Sequence, residues 1–280
     1  MSKSLDIRKI KTYVINLDKY QDKYATLKNH FAHYDIHTNR FSAILGKELK
    51  QEYINAITDP SVQYSISEGR SLDNQIGTIG AIGCSLSHIE LWKQLVNSNE
   101  EMWLILEDDC YPKYKMYSVH DLNTYINTVN TFDPNWDMIY MGWKKPNIGH
   151  KDTLMVKPTT NSIGSIYKVN SFIHAAHAYI INRKGAKKLL KNAFPIIHQV
   201  DSYISFMCMY RDFNAYKNRI QYMEQRNLTG TDIQTDYPAK IYINRFSNRT
   251  IFICLYICII VFLLLFFAVV IAITKHPIRI

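Results

Sequence analysis

Three consecutive carboxylates, Glu107, Asp108 and Asp109, follow an uninterrupted apolar run, residues 103–106 (WLIL). Such a run is typical of a strand that is buried on both faces of a sheet. Adjacent acids repel one another unless a cation compensates them, and carboxylate oxygens suit Mg²⁺ or Mn²⁺. Because alternate side chains of a strand project the same way, Glu107 and Asp109 can share one ion while Asp108 points elsewhere.

A metal ion in this position could bridge the two phosphates of a nucleotide and assist the departure of a diphosphate. The alternative is a polar loop whose acids merely end the strand. A glycine-rich stretch upstream, residues 77–83, favours the metal interpretation. It leads into Ser85 or Ser87, either of which can cap a helix, and the free N–H groups of a helix start bind phosphate.

The elements that must position these residues follow from the hydrophobic pattern. Strand and helix patterns alternate, which predicts an α/β fold with an open, largely parallel sheet flanked by helices. In such a sheet, ligands bind at the carboxyl ends of the strands, where the three acids lie. The predicted strands are residues 11–18, 39–45, 103–109, 136–143 and 177–182, and helical patterns cover residues 19–34, 120–131, 183–194 and the segment that ends at Val96.

Several stretches, taken in order, resemble glycosyltransferase family 25. This family contains bacterial lipooligosaccharide galactosyltransferases, collagen galactosyltransferases and proteins of large DNA viruses, so the resemblance is compatible with a viral origin. GAIGCSLSHIELWKQL (residues 80–95), followed by WLILEDD, resembles the turn and the Glu-Asp-Asp strand of the family. Similar segments are YVINLDKYQDKYATL, WDMIYMGW, HAYIINRKGAKKLLKNAFPIIHQVDSYIS and EQRNLTGTDIQ, and the set covers residues 11–235.

The resemblance implies a GT-A-type nucleotide-binding sheet. It also implies transfer of a hexose, usually galactose, from a UDP-sugar to a glycan, glycoprotein or other hydroxylated acceptor. Mn²⁺ (or Mg²⁺) and inversion at the anomeric carbon belong to the same expectation. On the matching positions, Glu107 and Asp109 are the implied metal ligands, and Asp108 is assigned to the donor site.

The chain departs from the family pattern at two points. Many GT-A enzymes complete the metal shell with a histidine near the end of the domain, but after His198 the sequence has only His276. Gln225, Asp232 or water are the alternatives for that ligand. The opening helix has Lys23 where the family commonly has arginine, and lysine does not bind phosphate in a bidentate manner.

Asp201 matches the aspartate of the family's Pro-x-Asp stretch. It is our first candidate for the base that deprotonates the acceptor hydroxyl, and the alternative is an N-cap for the following helix. Asp232 and Glu224 are weaker candidates for the base. Asn16 and Asp18 end the first strand, where they either contact the nucleotide or form an ordinary turn.

Ser87 and His88 lie within the glycine-rich motif and are assigned to the donor site together with Lys23. The motif allows two interpretations of His88, which either contacts the phosphates of the donor or holds the turn. The hydroxyl of Ser87 is open to the same two interpretations.

The C-terminal stretch, residues 251–273, has no charged residue and is long enough to cross roughly 30 Å of hydrocarbon as a helix. The sequence therefore predicts a catalytic domain (residues 1–245), a basic juxtamembrane linker (246–250), a single membrane-spanning helix and a short tail (274–280). Arg245, Arg249, Lys275 and Arg279 flank the span on both sides, so the positive-inside rule gives no orientation.

The net charge of +9 is spread along the chain, and a basic protein favours anionic lipid or a phosphorylated substrate. No DNA- or RNA-binding motif is present, so no nucleic-acid partner is expected. The spacing of Cys84, Cys110 and Cys208 fits neither a zinc site nor a disulfide framework. This favours a reducing compartment and a catalytic domain on the cytosolic side of the membrane, with no signal peptide.

Two other functions compete with a metal-dependent glycosyltransferase. One is a nucleotidyl- or phosphotransferase on a similar sheet, although the sequence lacks the P-loop lysine pattern. The other is a catalytically degenerate, membrane-tethered module that binds a nucleotide-sugar or a glycan. The missing histidine and Lys23 support the degenerate module, and the intact Glu-Asp-Asp opposes it.

Overall fold

The computed structural model describes residues 4–68, 75–113, 118–144, 152–157 and 164–226. Contacts divide the chain into two units, Met1–Tyr237 and Pro238–Ile280, and every described residue belongs to the first. Within the described segments, no helix is both long and apolar enough to cross a membrane. The predicted linker, membrane span and tail, residues 246–280, lie outside the described residues.

The described segments form ten strands and seven α-helices. The strands are β1 (Lys11–Asn16), β2 (Thr38–Ser42), β3 (Met102–Glu107), β4 (Cys110–Pro112), β5 (Met138–Lys144), β6 (Thr153–Val156), β7 (Ile166–Lys168), β8 (His174–Asn182), β9 (Ala215–Asn218) and β10 (Met223–Gln225). The helices are α1 (Gln21–Ala32), α2 (Gln51–Ile57), α3 (Pro60–Ser67), α4 (Ile79–Asn97), α5 (Val119–Phe132), α6 (Arg183–Lys191) and α7 (Val200–Tyr210).

Eight strands form one sheet in the order β2-β1-β3-β8-β5-β9-β7-β6, and β4 pairs with β10 in a separate two-stranded sheet. β1 is parallel to β2 and β3, and β5 is parallel to β9. β8 is antiparallel to both β3 and β5, and β7 is antiparallel to β6 and β9. The α/β class is confirmed, but the prediction of a largely parallel sheet is wrong, because the sheet is mixed.

The direction of β8 explains the difference. Lys144 at the end of β5 pairs with His174 at the start of β8. Between β5 and β8 the chain forms β6 and β7 at the far end of the same sheet, so β5 and β8 are not joined by the single helical crossover that links parallel neighbours. The alternation of strand and helix patterns in the sequence does not indicate in which direction β8 runs relative to β3 and β5.

Two hydrophobic cores cover the two faces of the large sheet. Trp103 and Ile105 of β3 pack in one core with α4, α6 and α7. Leu104 and Leu106 pack in the other core with α1 and α5. The four apolar residues before the acids thus alternate between two buried faces, which confirms the predicted strand and fixes the three acids at its carboxyl end.

Helix α4 starts earlier than the sequence predicts. Thr78 caps it by accepting a hydrogen bond from the Ala81 N–H at 3.2 Å, so the expected caps, Ser85 and Ser87, are wrong and both lie buried inside the helix. Gly83 serves close packing instead of a turn. A Cβ atom on Gly83 would lie 2.4 Å from the carbonyl oxygen of Ile44, so only glycine lets that loop rest on the helix.

Candidate functional site

The carboxyl ends of β1 and β3 lie side by side because the two strands are parallel and Ile15 pairs with Glu107. Asn16, which is 1% exposed, is the next residue of β1. Its Nδ2 group donates hydrogen bonds to Oδ2 of Asp108 and to the carbonyl oxygen of Tyr20, both at 2.8 Å. Asn16 and the acidic cluster therefore meet at one edge of the sheet.

Arg40 of β2 completes this side of the site. Its Nε donates to Oδ1 of Asn16 at 2.8 Å, and its guanidinium pairs with Asp18, which also accepts a hydrogen bond from Ser42 at 2.8 Å. These contacts hold the pKa of Asp18 below its ordinary value. The Asp18 side chain is 71% exposed. The sequence analysis missed Arg40, and only the β1–β2 register, in which Val14 pairs with Arg40, reveals it.

His88 connects helix α4 to the first acid. Its Nε2 lies 3.3 Å from Oε1 of Glu107, and its Nδ1 lies 2.8 Å from the hydroxyl of Tyr179. The same hydroxyl accepts a hydrogen bond from Nε1 of Trp92 at 3.0 Å. Burial alone would raise the pKa of Glu107, but the hydrogen bond from His88 and the charge of Lys144 are among the causes that lower it, and this pKa lies below its ordinary value.

Cys84 lies beside the first acid and His88. Its Sγ atom, one ring nitrogen of His88 and one oxygen of Glu107 lie within 4.8 Å of one another, which is close enough for a metal ion. Burial raises the pKa of the Cys84 thiol well above its ordinary value, and the charges of Glu107, Asp201 and the other two acids add to this effect. Of the predicted site carboxylates, Glu107 is the one that lies in this cluster with Cys84.

Asp109 has an environment unlike that of the other two acids. Its Oδ2 accepts a hydrogen bond from Nε2 of Gln225 at 2.9 Å, because β10 pairs with β4 and aligns Gln225 with Cys110. Its Oδ1 is buried and has no hydrogen-bond partner among the described residues. Burial and the charge of Glu107 raise the pKa of Asp109 to about 7.

The residues present fit a divalent cation. A buried acceptor without a donor costs about 1–3 kcal/mol, and a bound cation is one explanation for such an atom in a native fold. Glu107 and Asp109 supply the hard oxygen ligands that Mg²⁺ and Mn²⁺ prefer. Of the alternatives for the further ligand, Gln225 lies against Asp109, and Asp232 lies outside the described residues.

Asp201 lies in the first turn of α7, but it is not the N-cap, which is Gln199. The alternative interpretation of Asp201 as a helix cap is therefore wrong. Its Oδ2 accepts a hydrogen bond from the Ala175 N–H at 2.9 Å, and its Oδ1 accepts one from the Ser202 N–H at 2.7 Å. Ala175 has a φ of +72°, a left-handed conformation that is strained for alanine. The carboxylate thus stabilises an unusual backbone position at the start of β8.

Two predicted donor-site residues have other contacts. The hydroxyl of Ser87 is fully buried, donates to the Gly83 carbonyl and accepts from the Ile44 N–H, both at 2.8 Å. This arrangement holds the loop on α4. Lys23 lies in the first turn of α1 with its Nζ 4.1 Å from the centre of the Tyr20 ring. Tyr20 also contacts Asn16, whose Nδ2 donates to the Tyr20 carbonyl oxygen. Lys23 and Asn16 therefore share Tyr20 as a neighbour.

His177 is a further buried group near the acids that the sequence analysis gave no role. It is 0% exposed, and its Nε2 lies 3.4 Å from the carbonyl oxygen of Met223. A Cβ atom on Gly142 would lie 2.2 Å from this nitrogen, so glycine is required where β5 passes the ring. Burial lowers the pKa of His177, which keeps the ring neutral near pH 7.

Comparison with known proteins identifies the family. The model of glycosyltransferase family 25 (LPS biosynthesis protein) matches residues 9–204. The chain belongs to glycosyltransferase family 25. The matched region includes Asn16, His88, the three acids and Asp201, so the resemblance noted from the sequence is confirmed, and a viral origin stays a prediction.

Curated members of family 25 include similar proteins from animals. Procollagen galactosyltransferase 1-A of Xenopus laevis is 28% identical over 202 residues, which are 70% of this chain and 30% of that protein. A glycosyltransferase 25 family member of Aedes aegypti is 27% identical over 220 residues, 77% of this chain and 33% of that protein. The chain thus spans about a third of the length of these relatives.

Solved structures with partial similarity include a glycosyltransferase involved in the glycosylation of the major capsid of PBCV-1. Its TM-score is 0.30 at 8% identity, covering 71% of this chain and 66% of that chain. An apo UDP-glucose pyrophosphorylase gives a TM-score of 0.34 at 9% identity, covering 75% of this chain and 90% of that chain. Similarity at this level does not bear on substrate or chemistry.

The raised pKa of Asp109 predicts a pH-dependent stability in metal-free protein. The ordinary pKa of 3.8 applies to the unfolded chain and about 7 to the folded chain. Between these values the native state holds a proton that the unfolded state has lost, so the free energy of unfolding falls as pH rises. Asp109→Asn removes this ionisation. At about pH 8 with chelator, the variant should be more stable than wild type by on the order of 1–4 kcal/mol.

Denaturant unfolding at several pH values measures this difference. The advantage of Asp109→Asn should shrink towards about pH 4, where wild-type Asp109 is protonated in the folded state. Asp35→Asn is the matched control, because the Asp35 side chain is 73% exposed. A stability difference between wild type and Asp109→Asn that does not change with pH would contradict the buried environment of Asp109.

Proposed function

We propose that this member of glycosyltransferase family 25 transfers a hexose, by family resemblance galactose, from a UDP-sugar to a hydroxyl group of a glycan or glycoprotein acceptor. The observation that carries the proposal is the buried oxygen of Asp109, which has no partner among the described residues and lies in the acidic cluster with Glu107. Family membership and relatives named as galactosyltransferases support it.

Glu107 and Asp109 are the residues that would hold a Mn²⁺ or Mg²⁺ ion. When bound, such an ion neutralises the diphosphate of the donor and stabilises it as a leaving group. His88 and Gln225 orient the two carboxylates through hydrogen bonds at 3.3 and 2.9 Å. Asp108 instead anchors Asn16, which agrees with its expected direction away from the shared ion.

The β1 edge is suited to the nucleoside. Hydrogen bonds to Tyr20, Asp108 and Arg40 fix the orientation of the Asn16 side chain at this edge. The exposed Asp18 carboxylate, which Arg40 and Ser42 fix in orientation, can accept hydrogen bonds from the hydroxyls of a ribose. Lys23, in the first turn of α1, contributes positive charge towards phosphate.

Asp201 remains our proposal for the base. In a single displacement, the acceptor oxygen bonds to the anomeric carbon while the bond to the diphosphate breaks, and the configuration inverts. The hydroxyl proton passes to a carboxylate oxygen within hydrogen-bond reach. Asp201 is half-buried, the N–H groups of Ala175 and Ser202 fix its carboxylate, and its match to the aspartate of the family's Pro-x-Asp stretch supports this role.

Membrane attachment through residues 251–273 is part of the proposal and rests on their uncharged sequence. The span would tether the catalytic domain beside acceptors held at a membrane, with the domain on the cytosolic side.

Asp109→Asn is expected to abolish transfer while the fold survives. Loss of one ligand charge removes several kcal/mol of charge stabilisation, which corresponds to a rate loss on the order of 100-fold or more. The measurement is Mn²⁺-dependent release of UDP from a panel of UDP-sugars, with Asp35→Asn as the control. Full activity of the variant with chelator present would exclude the metal site.

Thermal melting with Mn²⁺ and UDP separates the enzyme from the degenerate binding module. A ligand that binds only the native state raises its stability by mass action. Wild type should gain stability, and Asp109→Asn should gain little. Wild type that gains stability but turns over none of the UDP-sugars, with or without acceptor, would favour the binding module.

Asp201→Asn should distinguish a role of Asp201 as the base from a role in binding the donor. The amide oxygen of asparagine can still accept the Ala175 N–H, so the start of β8 is retained, but the basic oxygen is lost. We expect transfer to acceptor to fall about 100-fold or more, with Mn²⁺-dependent UDP binding unchanged. Near-normal transfer would show that the role of Asp201 is limited to holding Ala175.

Deletion of residues 251–280 tests the anchor. The truncated chain should leave the membrane fraction and still bind UDP with Mn²⁺, because the span follows the last family-like segment. Cell fractionation of the full and truncated chains is the measurement. Retention of the truncated chain in membranes, or a loss of donor binding on truncation, would contradict the separation of anchor and catalytic domain.

A further inference from the structure

We propose that Trp92, Tyr179 and His88 form a directed chain of hydrogen bonds that fixes the tautomer of His88 and thereby positions Glu107. The consequence for catalysis rests on the proposed function, whereas the direction of the chain follows from the structure alone. His88 is then a positioning residue, and Tyr179 and Trp92 act on the site through it.

The direction follows from what each group can donate. The indole Nε1–H of Trp92 can only donate, so the oxygen of Tyr179 is the acceptor at 3.0 Å. The phenol has one hydrogen, and Nδ1 of His88 lies 2.8 Å away as its partner. Tyr179 therefore donates to Nδ1, which must carry a lone pair.

The reverse arrangement leaves a buried hydrogen unpaired. If Nδ1 of His88 donated to Tyr179, the phenolic hydrogen would have no acceptor among the contacts of the described residues. Trp92, Tyr179 and His88 are each 0% exposed, so that hydrogen would bear the full cost of desolvation. A lone pair at Nε2 would also face the Glu107 carboxylate, which is repulsive.

An imidazole with a lone pair at Nδ1 carries its hydrogen at Nε2. That hydrogen points to Oε1 of Glu107 at 3.3 Å. His88 therefore presents a donor to the acid, and it does not act as a metal ligand, despite its closeness to Cys84 and Glu107. This bond uses Oε1 of Glu107, so we assign the other carboxylate oxygen to the cation.

Packing makes the chain rigid. Trp92 and His88 lie four residues apart on α4, on the same side of the helix. Tyr179 pairs in β8 with Ile105 of β3, two residues before Glu107. The rings of His88 and Tyr179 stack with centroids 5.8 Å apart and an interplanar angle of 20°. The hydrogen bonds thus join a helix and two strands of one core.

The tautomer can be measured directly in wild-type protein. Nitrogen-15 NMR of histidine-labelled protein distinguishes the two neutral tautomers and the cation. The chain has 10 histidines, and His88→Gln assigns the relevant signal by its loss. We expect the Nε2–H tautomer. A hydrogen at Nδ1, alone or in the cation, would overturn the proposal.

Tyr179→Phe tests the link to the site, because it removes the hydroxyl and keeps the ring. Partners that orient a metal-binding group typically change metal affinity by 10- to 100-fold, so we expect Mn²⁺ affinity in the presence of UDP, measured by electron paramagnetic resonance, to weaken by about that factor. Tyr125→Phe is the matched control. It removes a buried hydroxyl that lies 3.1 and 3.3 Å from the Tyr140 and Tyr216 carbonyl oxygens and shares its hydrogen between them, away from the acids, and it should leave Mn²⁺ affinity unchanged.

His88→Gln supplies the rescue test, since its amide can donate to Glu107 without Tyr179. In the His88→Gln background, Tyr179→Phe should no longer weaken Mn²⁺ binding by the same factor. Wild-type Mn²⁺ affinity in a correctly folded Tyr179→Phe variant would overturn the positioning role. Absence of Mn²⁺ binding by wild type would refute the proposed function and the positioning role, while the NMR signal would still decide the hydrogen-bond direction, so the two ideas fail separately.

Discussion

Repulsion among three carboxylates at the end of β3 is the constraint on which the site depends. Each acid receives a hydrogen bond from a different element of the fold: Asn16 of β1 binds Asp108, His88 of α4 binds Glu107, and Gln225 of β10 binds Asp109. The acids are therefore in contact with a strand of the large sheet, a helix and the strand β10 of the small sheet. Residues far apart in the sequence become neighbours because each satisfies one carboxylate.

The donors to Glu107 and Asp109 are an imidazole and an amide, so they stabilise the carboxylates without cancelling their charge. Two other aspartates in the described chain pair directly with a lysine instead. Buried Asp137 pairs with Lys188 at 2.8 Å, and Asp152 pairs with Lys217 at 2.5 Å. A lysine within the cluster would compete with a metal ion for the same oxygens. Dipolar donors leave the carboxylate oxygens of Glu107 and Asp109 able to bind a divalent cation.

The sequence predicted the parts of the fold that depend on local pattern. The buried strand before the acids, helix α1 and the strands at Met138–Lys144 and His174–Asn182 follow from apolar spacing and are present. The start of α4 was misplaced because glycine usually marks a turn, whereas Gly83 lies inside the helix to admit the Ile44 backbone. Local pattern cannot report a contact between residues so far apart in the chain.

A site residue could be predicted from the sequence only when its residue type and its place at the end of a predicted strand were sufficient to assign it. The three acids and Asn16 satisfy that condition, because parallel strands end at the same edge. Arg40 and Tyr179 do not, since their roles depend on which strands are neighbours. β8 lies antiparallel between β3 and β5, and a prediction of parallel strands would not place Tyr179 beneath the acids.

The antiparallel strand β8 also relates the two halves of the proposed reaction. Near its start, Ala175 takes a left-handed conformation that Asp201 stabilises. Four residues later, Tyr179 supplies the hydroxyl that orients His88 towards Glu107. The candidate base and the candidate metal ligand are thus both tied to one strand, whose two contacts are separated by a fixed length of extended backbone. A shift of β8 would disturb both contacts together, so this strand relates the position of the candidate base to that of the candidate metal ligand.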